Sequence, residues 1–152
     1  MGETGLNGLT GRTPEGTGPR EVSRTFGRDT VRIAEARGFA AEYLAETQRD
    51  RDRPLPPGAT GTVQLVVSEL VTNAVKYGAG PVELVLARTG DLLSVTVRDG
   101  GSTLPVPRPA DPGRVGQHGL EIVAALCQDV DIRREPTGKR VTARIALGGP
   151  AA

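Results

Sequence analysis

Residues 60–77 constrain this chain most. They read as a helix with an apolar stripe and two oxygen-bearing side chains beside it. Val63, Val67, Leu70 and Ala74 recur at three- and four-residue spacing, the period of a helix buried along one side. Glu69 and Asn73 stand four positions apart, so at ~100° per residue both project from one face about a turn apart. Taken alone, such a pair is an ordinary solvated helix surface. Beside a core stripe it also occupies the rim, where the wall of a pocket would stand. Gly78, Gly80 and Pro81 then stop the helix.

The remaining elements follow from local pattern. An extended piece is expected over 21–26. A helix is expected over 30–47, with Ile33, Ala36, Ala40, Tyr43 and Leu44 inward, and Gly38 costs it roughly 1 kcal/mol against Ala. The polar run 48–53 and the PLPPG segment at 54–58 break the chain. Alternating runs at 81–87 and 92–98, joined through Gly90-Asp91, predict an antiparallel hairpin. Residues 100–115 are punctuated by Gly and Pro without periodicity, and long loops inside compact domains are usually functional or disordered. A helix over 117–127 would bury Leu120, Val123, Leu126 and Cys127. A second hairpin, 130–134 with 141–147, turns at Pro136-Thr137-Gly138. The order helix, helix, hairpin, helix, hairpin predicts an α+β fold: a mostly antiparallel sheet of four to five strands with about three helices on one face.

A chain of 152 residues is one domain with a sizeable core. That core must be aliphatic, because Phe26, Phe39, Tyr43 and Tyr77 are the only aromatic residues. A net charge of +1 and so few rings for stacking on bases argue against nucleic acid as a partner. Cys127 stands alone, which excludes an internal disulfide and a cysteine zinc site; on an apolar helix face it reads as packing. Neither a membrane span nor a secretory leader is expected, which predicts a cytoplasmic protein. Residues 1–20, rich in Gly and Thr, are expected to be a disordered tail, 21–148 the domain and 149–152 a short tail.

Two further segments join SELVTNAVKY at 68–77: RDGGS at 98–102, closing a strand pattern, and GQHGLEIV at 116–123, opening a helix. In this order and spacing the three resemble the nucleotide-binding boxes of the GHKL (histidine kinase-like) ATPases. The nearest likeness is to the stand-alone anti-sigma-factor serine kinases, over roughly residues 20–147. The resemblance implies a two-layer α/β sandwich (Bergerat fold) with an ATP lid over 100–116, and ATP and Mg²⁺ as cofactors. It implies that Asn73 supplies an amide oxygen to Mg²⁺, a hard cation that keeps several waters. It implies Glu69 as the catalytic general base and Lys76 as a point charge for phosphate. Asp99 would accept from the exocyclic amine of adenine, with Gly101 allowing the backbone close to the ring. Gly116, His118, Gly119 and Leu120 would form the turn and helix start at the phosphates.

Without the resemblance each feature has a plainer reading. Asp-Gly-Gly is a turn, Lys76 is an exposed lysine at a helix end, and His118 is a solvated loop histidine. The chain also departs from the pattern. Thr103 replaces a glycine of the Asp box, two residues rather than one separate Gly116 from Gly119, and Lys139-Arg140 follow Gly138 where relatives often carry Thr. The function implied is a protein serine/threonine kinase that binds a sigma factor as a homodimer and phosphorylates an antagonist protein. A non-catalytic ATP-dependent switch, or a histidine kinase domain acting in trans, are the alternatives.

Overall fold

The computed structural model describes residues 20–101 and 119–148. The expected tails (apart from Arg20), Thr103, Gly116, His118 and nearly all of the expected lid lie outside the described residues. Within them the order is β1 (Arg20–Phe26), a 3-10 turn (Arg28–Thr30), α1 (Ile33–Gln48), α2 (Ala59–Tyr77), β2 (Val82–Thr89), β3 (Leu92–Asp99), α3 (Gly119–Leu126), β4 (Asp129–Glu135) and β5 (Gly138–Ala146). The five strands form one sheet in the order β1-β2-β3-β5-β4, and every neighbouring pair is antiparallel. This is the α+β arrangement that the pattern of elements predicted.

Alternation along the strands makes one face of the sheet apolar. Leu84 and Leu86, Leu93, Val95 and Val97, and Val141, Ala143 and Ile145 are buried there. The helices cover this face, with α2 between α1 and α3. The stripe on α2 is broader than Val63, Val67, Leu70 and Ala74, because Val66 and Val71 are also fully buried. Phe26 and Tyr43 are the aromatic residues of an otherwise aliphatic core. The opposite face is polar: Arg98 pairs with Glu83 and Glu135, and the Thr96 and Thr142 hydroxyls meet at 3.0 Å across β3 and β5.

Two expectations are corrected by the structure. Helix α1 begins at Ile33, not at residue 30, because Arg28–Thr30 close a 3-10 turn and Val31 and Arg32 are extended. The Arg28 guanidinium explains this: it donates to the carbonyls of Ala74 and Val75, in the last turn of α2. Carbonyls in a last helical turn are short of intrahelical donors, and Ala74 O receives only the Gly78 N–H beside Arg28, so the side chain caps a neighbouring helix. The second is Leu126, which is 39% exposed rather than core. Leu120, Val123 and Cys127 cluster on one side of α3, and Leu126 points about 90° from that side at ~100° per residue. Burial raises the pKa of the half-buried Cys127 thiol to about 11, which suits a packing residue rather than a reactive one.

A buried polar lock holds the end of α1 to the sheet. Arg88 is 5% exposed, and its guanidinium donates to Thr47 Oγ1, Gln48 Oε1 and the Gly90 carbonyl. Burial pushes its pKa below the usual value, with Asp91 acting in the opposite direction. The Arg88 backbone N–H donates to the Tyr43 hydroxyl at 2.8 Å. Tyr43→Phe keeps the ring and removes this acceptor, so it is expected to lower stability by about 1–2 kcal/mol in urea denaturation. Unchanged stability would mean that the N–H finds another partner.

Candidate functional site

Glu69 and Asn73 lie in the middle of α2, both partly buried, between its core stripe and its exposed side. Lys76 is exposed one turn on, and Tyr77, 51% exposed, ends the helix. The chain leaves α2 through Gly78, whose N–H caps back onto Ala74 O. Here the second box arrives. Asp99, the last residue of β3, is 8% exposed and points its carboxylate at the end of α2. Its Oδ1 accepts from Ala79 N at 3.3 Å, Gly101 N at 2.6 Å and Lys139 Nζ at 3.1 Å. A Cβ on Gly78 would lie 2.4 Å from Asp99 Cγ and Oδ1. The stop after the helix is therefore glycine because the carboxylate needs that space.

The third box meets the first. A Cβ on Gly119 would come within 2.8 Å of Glu69 Oε1, which places the Glu69 carboxylate against the start of α3. Leu120 turns the other way into the core, 7% exposed, so its part is to anchor α3 rather than to touch a ligand with its side chain. Glu69 and Asn73 thus share one face of α2, and the Asp99 carboxylate sits at the C-terminal end of the same helix, beside Gly78. Nine residues separate Glu69 from Gly78, roughly 13 Å of helix at 1.5 Å per residue. Such a separation is suited to an elongated molecule with chemically different ends: an acid and an amide oxygen at one, a buried hydrogen-bonding carboxylate at the other.

Lys139 is the residue that sequence reasoning passed over. It is 2% exposed, among the most buried large side chains here, and pairs with Asp99, whose side chain is equally buried. The two are direct partners in the β3–β5 register. Opposite charges facing each other across a ladder stabilise it, but β3 and β5 are not consecutive strands, so no local pattern shows the pair. Gly101 was expected to be glycine so that a ring could approach. The crowding there comes from Asp99 Oδ1 and Lys139 Nζ, each 2.9 Å from where its Cβ would be.

The turn before Lys139 is equally tight. A Cβ on Gly138 would be 1.9 Å from the Asp99 carbonyl oxygen and 2.7 Å from Gly100 Cα, both backbone atoms that cannot swing aside. Gly138→Ala is therefore expected to cost about 3 kcal/mol or more. Gly38 in α1 has nothing within 4 Å of its Cβ position, so Gly38→Ala is expected to raise stability by about 0.5–1 kcal/mol. Thermal melting of both variants checks the contrast; equal effects would refute it.

The profile of the histidine kinase-like ATPase domain family matches residues 26–145. The chain belongs to that family. Among solved structures it is similar to the histidine kinase domain of the Erythrobacter litoralis EL346 blue-light activated histidine kinase. The identity is 22% and the TM-score 0.49, covering 78% of this chain and 62% of that one. It is also similar to the EL346 blue-light activated histidine kinase (23%, TM-score 0.47, 73% of this chain, 40% of that one). A third is the Acinetobacter baumannii histidine kinase AdeS (16%, TM-score 0.44, 86% of this chain, 70% of that one). The chain thus spans less than two thirds of the first two. No curated protein matches it. Among the described residues no helix is long and apolar enough to cross a membrane.

Proposed function

We propose that this protein binds ATP with Mg²⁺ and transfers the γ-phosphate to a hydroxyl of a partner protein, as a serine/threonine kinase of the anti-sigma-factor type. The observation that carries the proposal is the sharing of one face of α2 by Glu69 and Asn73, with Gly119 of α3 set against Glu69 and the Asp99 carboxylate packed on Gly78 at the end of the helix. Asp99 Oδ1 already accepts three hydrogen bonds, so Oδ2 is the acceptor for the exocyclic amine of adenine. Asn73 offers a neutral amide oxygen, which suits a hard cation that brings its own waters and shares phosphate oxygens.

Glu69, one turn from Asn73, acts as general base. Its carboxylate takes the proton from the attacking hydroxyl, and phosphoryl transfer needs little more from a protein than this, charge neutralisation and alignment. Lys76 adds a positive charge at the same helix. The parts of Gly116 and His118 at the phosphates, the sigma factor and antagonist as partners, and the homodimer rest on the resemblance of the three boxes.

The test is capture of partners in the presence of Mg-ATP, followed by incubation with γ-labelled ATP. Label on serine or threonine of a captured protein supports the kinase. Tight ATP binding that changes partner affinity without any label supports the switch, and acid-labile label on histidine supports the histidine kinase reading. No ATP binding at all removes the proposal.

A further inference from the structure

We infer that Lys139 reads the purine ring directly, donating a hydrogen bond to N1 of adenine while Asp99 accepts from the adjacent 6-amino group. The inference rests on the nucleotide reading above and specifies how that site selects its base. Asp99 and Lys139 stand side by side: Lys139 Nζ lies 3.1 Å from Asp99 Oδ1, which leaves Oδ2 of the same carboxylate as the acceptor beside that donor, and both side chains are 2% exposed. The Watson–Crick edge of adenine presents the complement, the N6 amine as donor beside N1 as acceptor. An ammonium has three N–H groups, and among the described residues Asp99 Oδ1 is the acceptor it meets. A buried ammonium with unspent donors is costly, so an acceptor arriving with the ligand gains more here than at a solvated lysine.

The same placement explains rejection of guanine. With the sugar held in one position, guanine sets O6 against the Asp99 carboxylate and its N1–H against the Lys139 ammonium. Acceptor then faces acceptor and donor faces donor. A carboxylate alone would supply only the first of these two conflicts.

The experiment compares ATP with 1-deaza-ATP, in which N1 is replaced by C–H and the 6-amino group is kept, by calorimetric titration of the wild-type protein with Mg²⁺. The expected result is binding of 1-deaza-ATP about 10-fold or more weaker than ATP, as for loss of a hydrogen bond to a charged group. In Lys139→Met the two ligands are expected to bind equally, with both weaker than ATP in wild type. The wild-type comparison needs no variant to fold, so it decides alone if Lys139→Met does not. Equal affinity of wild type for ATP and 1-deaza-ATP overturns the inference and leaves the ATP site standing. Failure of wild type to bind either overturns the nucleotide reading, and this inference with it.

Discussion

Asp99→Asn is expected to abolish detectable ATP binding and to lower stability by about 3 kcal/mol or more, and adding Lys139→Met is expected to recover most of the stability but none of the binding. The reason is the pairing of two ionised groups removed from water. Losing one member leaves the other charge buried and uncompensated, which costs about 3–5 kcal/mol, whereas replacing both with uncharged groups of similar size is often neutral or better. Asparagine keeps an oxygen for Ala79, Gly101 and Lys139, which places the loss toward the lower end. Denaturation of the two single variants and the double variant gives the coupling energy, and calorimetry gives the binding. A double variant no more stable than Asp99→Asn would show that the two residues do not act as a unit. ATP binding retained by Asp99→Asn would remove Asp99 from the adenine site.

The second large effect separates chemistry from binding on α2. Glu69→Ala is expected to keep ATP affinity within a few-fold and to slow transfer to a partner hydroxyl by about 10²–10⁴, the usual contribution of a general base. Asn73→Ala is expected to lose the Mg²⁺ dependence of ATP binding, and with it most of the affinity. Both residues are partly buried beside the core rather than in it, so neither substitution leaves a cavity. Stability should change by less than about 1 kcal/mol in each. Titration with ATP in the presence and absence of Mg²⁺, and single-turnover transfer, measure the two effects. Transfer by Glu69→Ala at the wild-type rate would take the base role from Glu69. ATP affinity that depends on Mg²⁺ equally in wild type and Asn73→Ala would take the cation from Asn73.

Short-range signals were legible wherever a side chain's fate depends on its own element. The stripe on α2 and the alternation in β2 and β3 follow from helix and strand periods, and the structure buries what those periods select. The same reading went astray where a residue answers to a distant one. Arg28 belongs by sequence to the run before α1, yet its guanidinium lies on carbonyls 46 and 47 residues away, which holds residues 28–32 out of the helix. Leu126 has the right hydrophobicity for the core and the wrong angle on α3.

The candidate site divides in the same way. Glu69 and Asn73 share a face because they are four residues apart on one helix, so the sequence alone determined their juxtaposition. That Gly119 lies against Glu69 depends on how α3 packs on α2. That Asp99 meets Lys139 depends on β5 inserting between β3 and β4, a non-local pairing whose register no stretch of sequence encodes by itself. Chemical type and helical spacing are properties of the chain. The partner of a buried charge is decided only when the sheet closes, because only then does desolvation require it to have one.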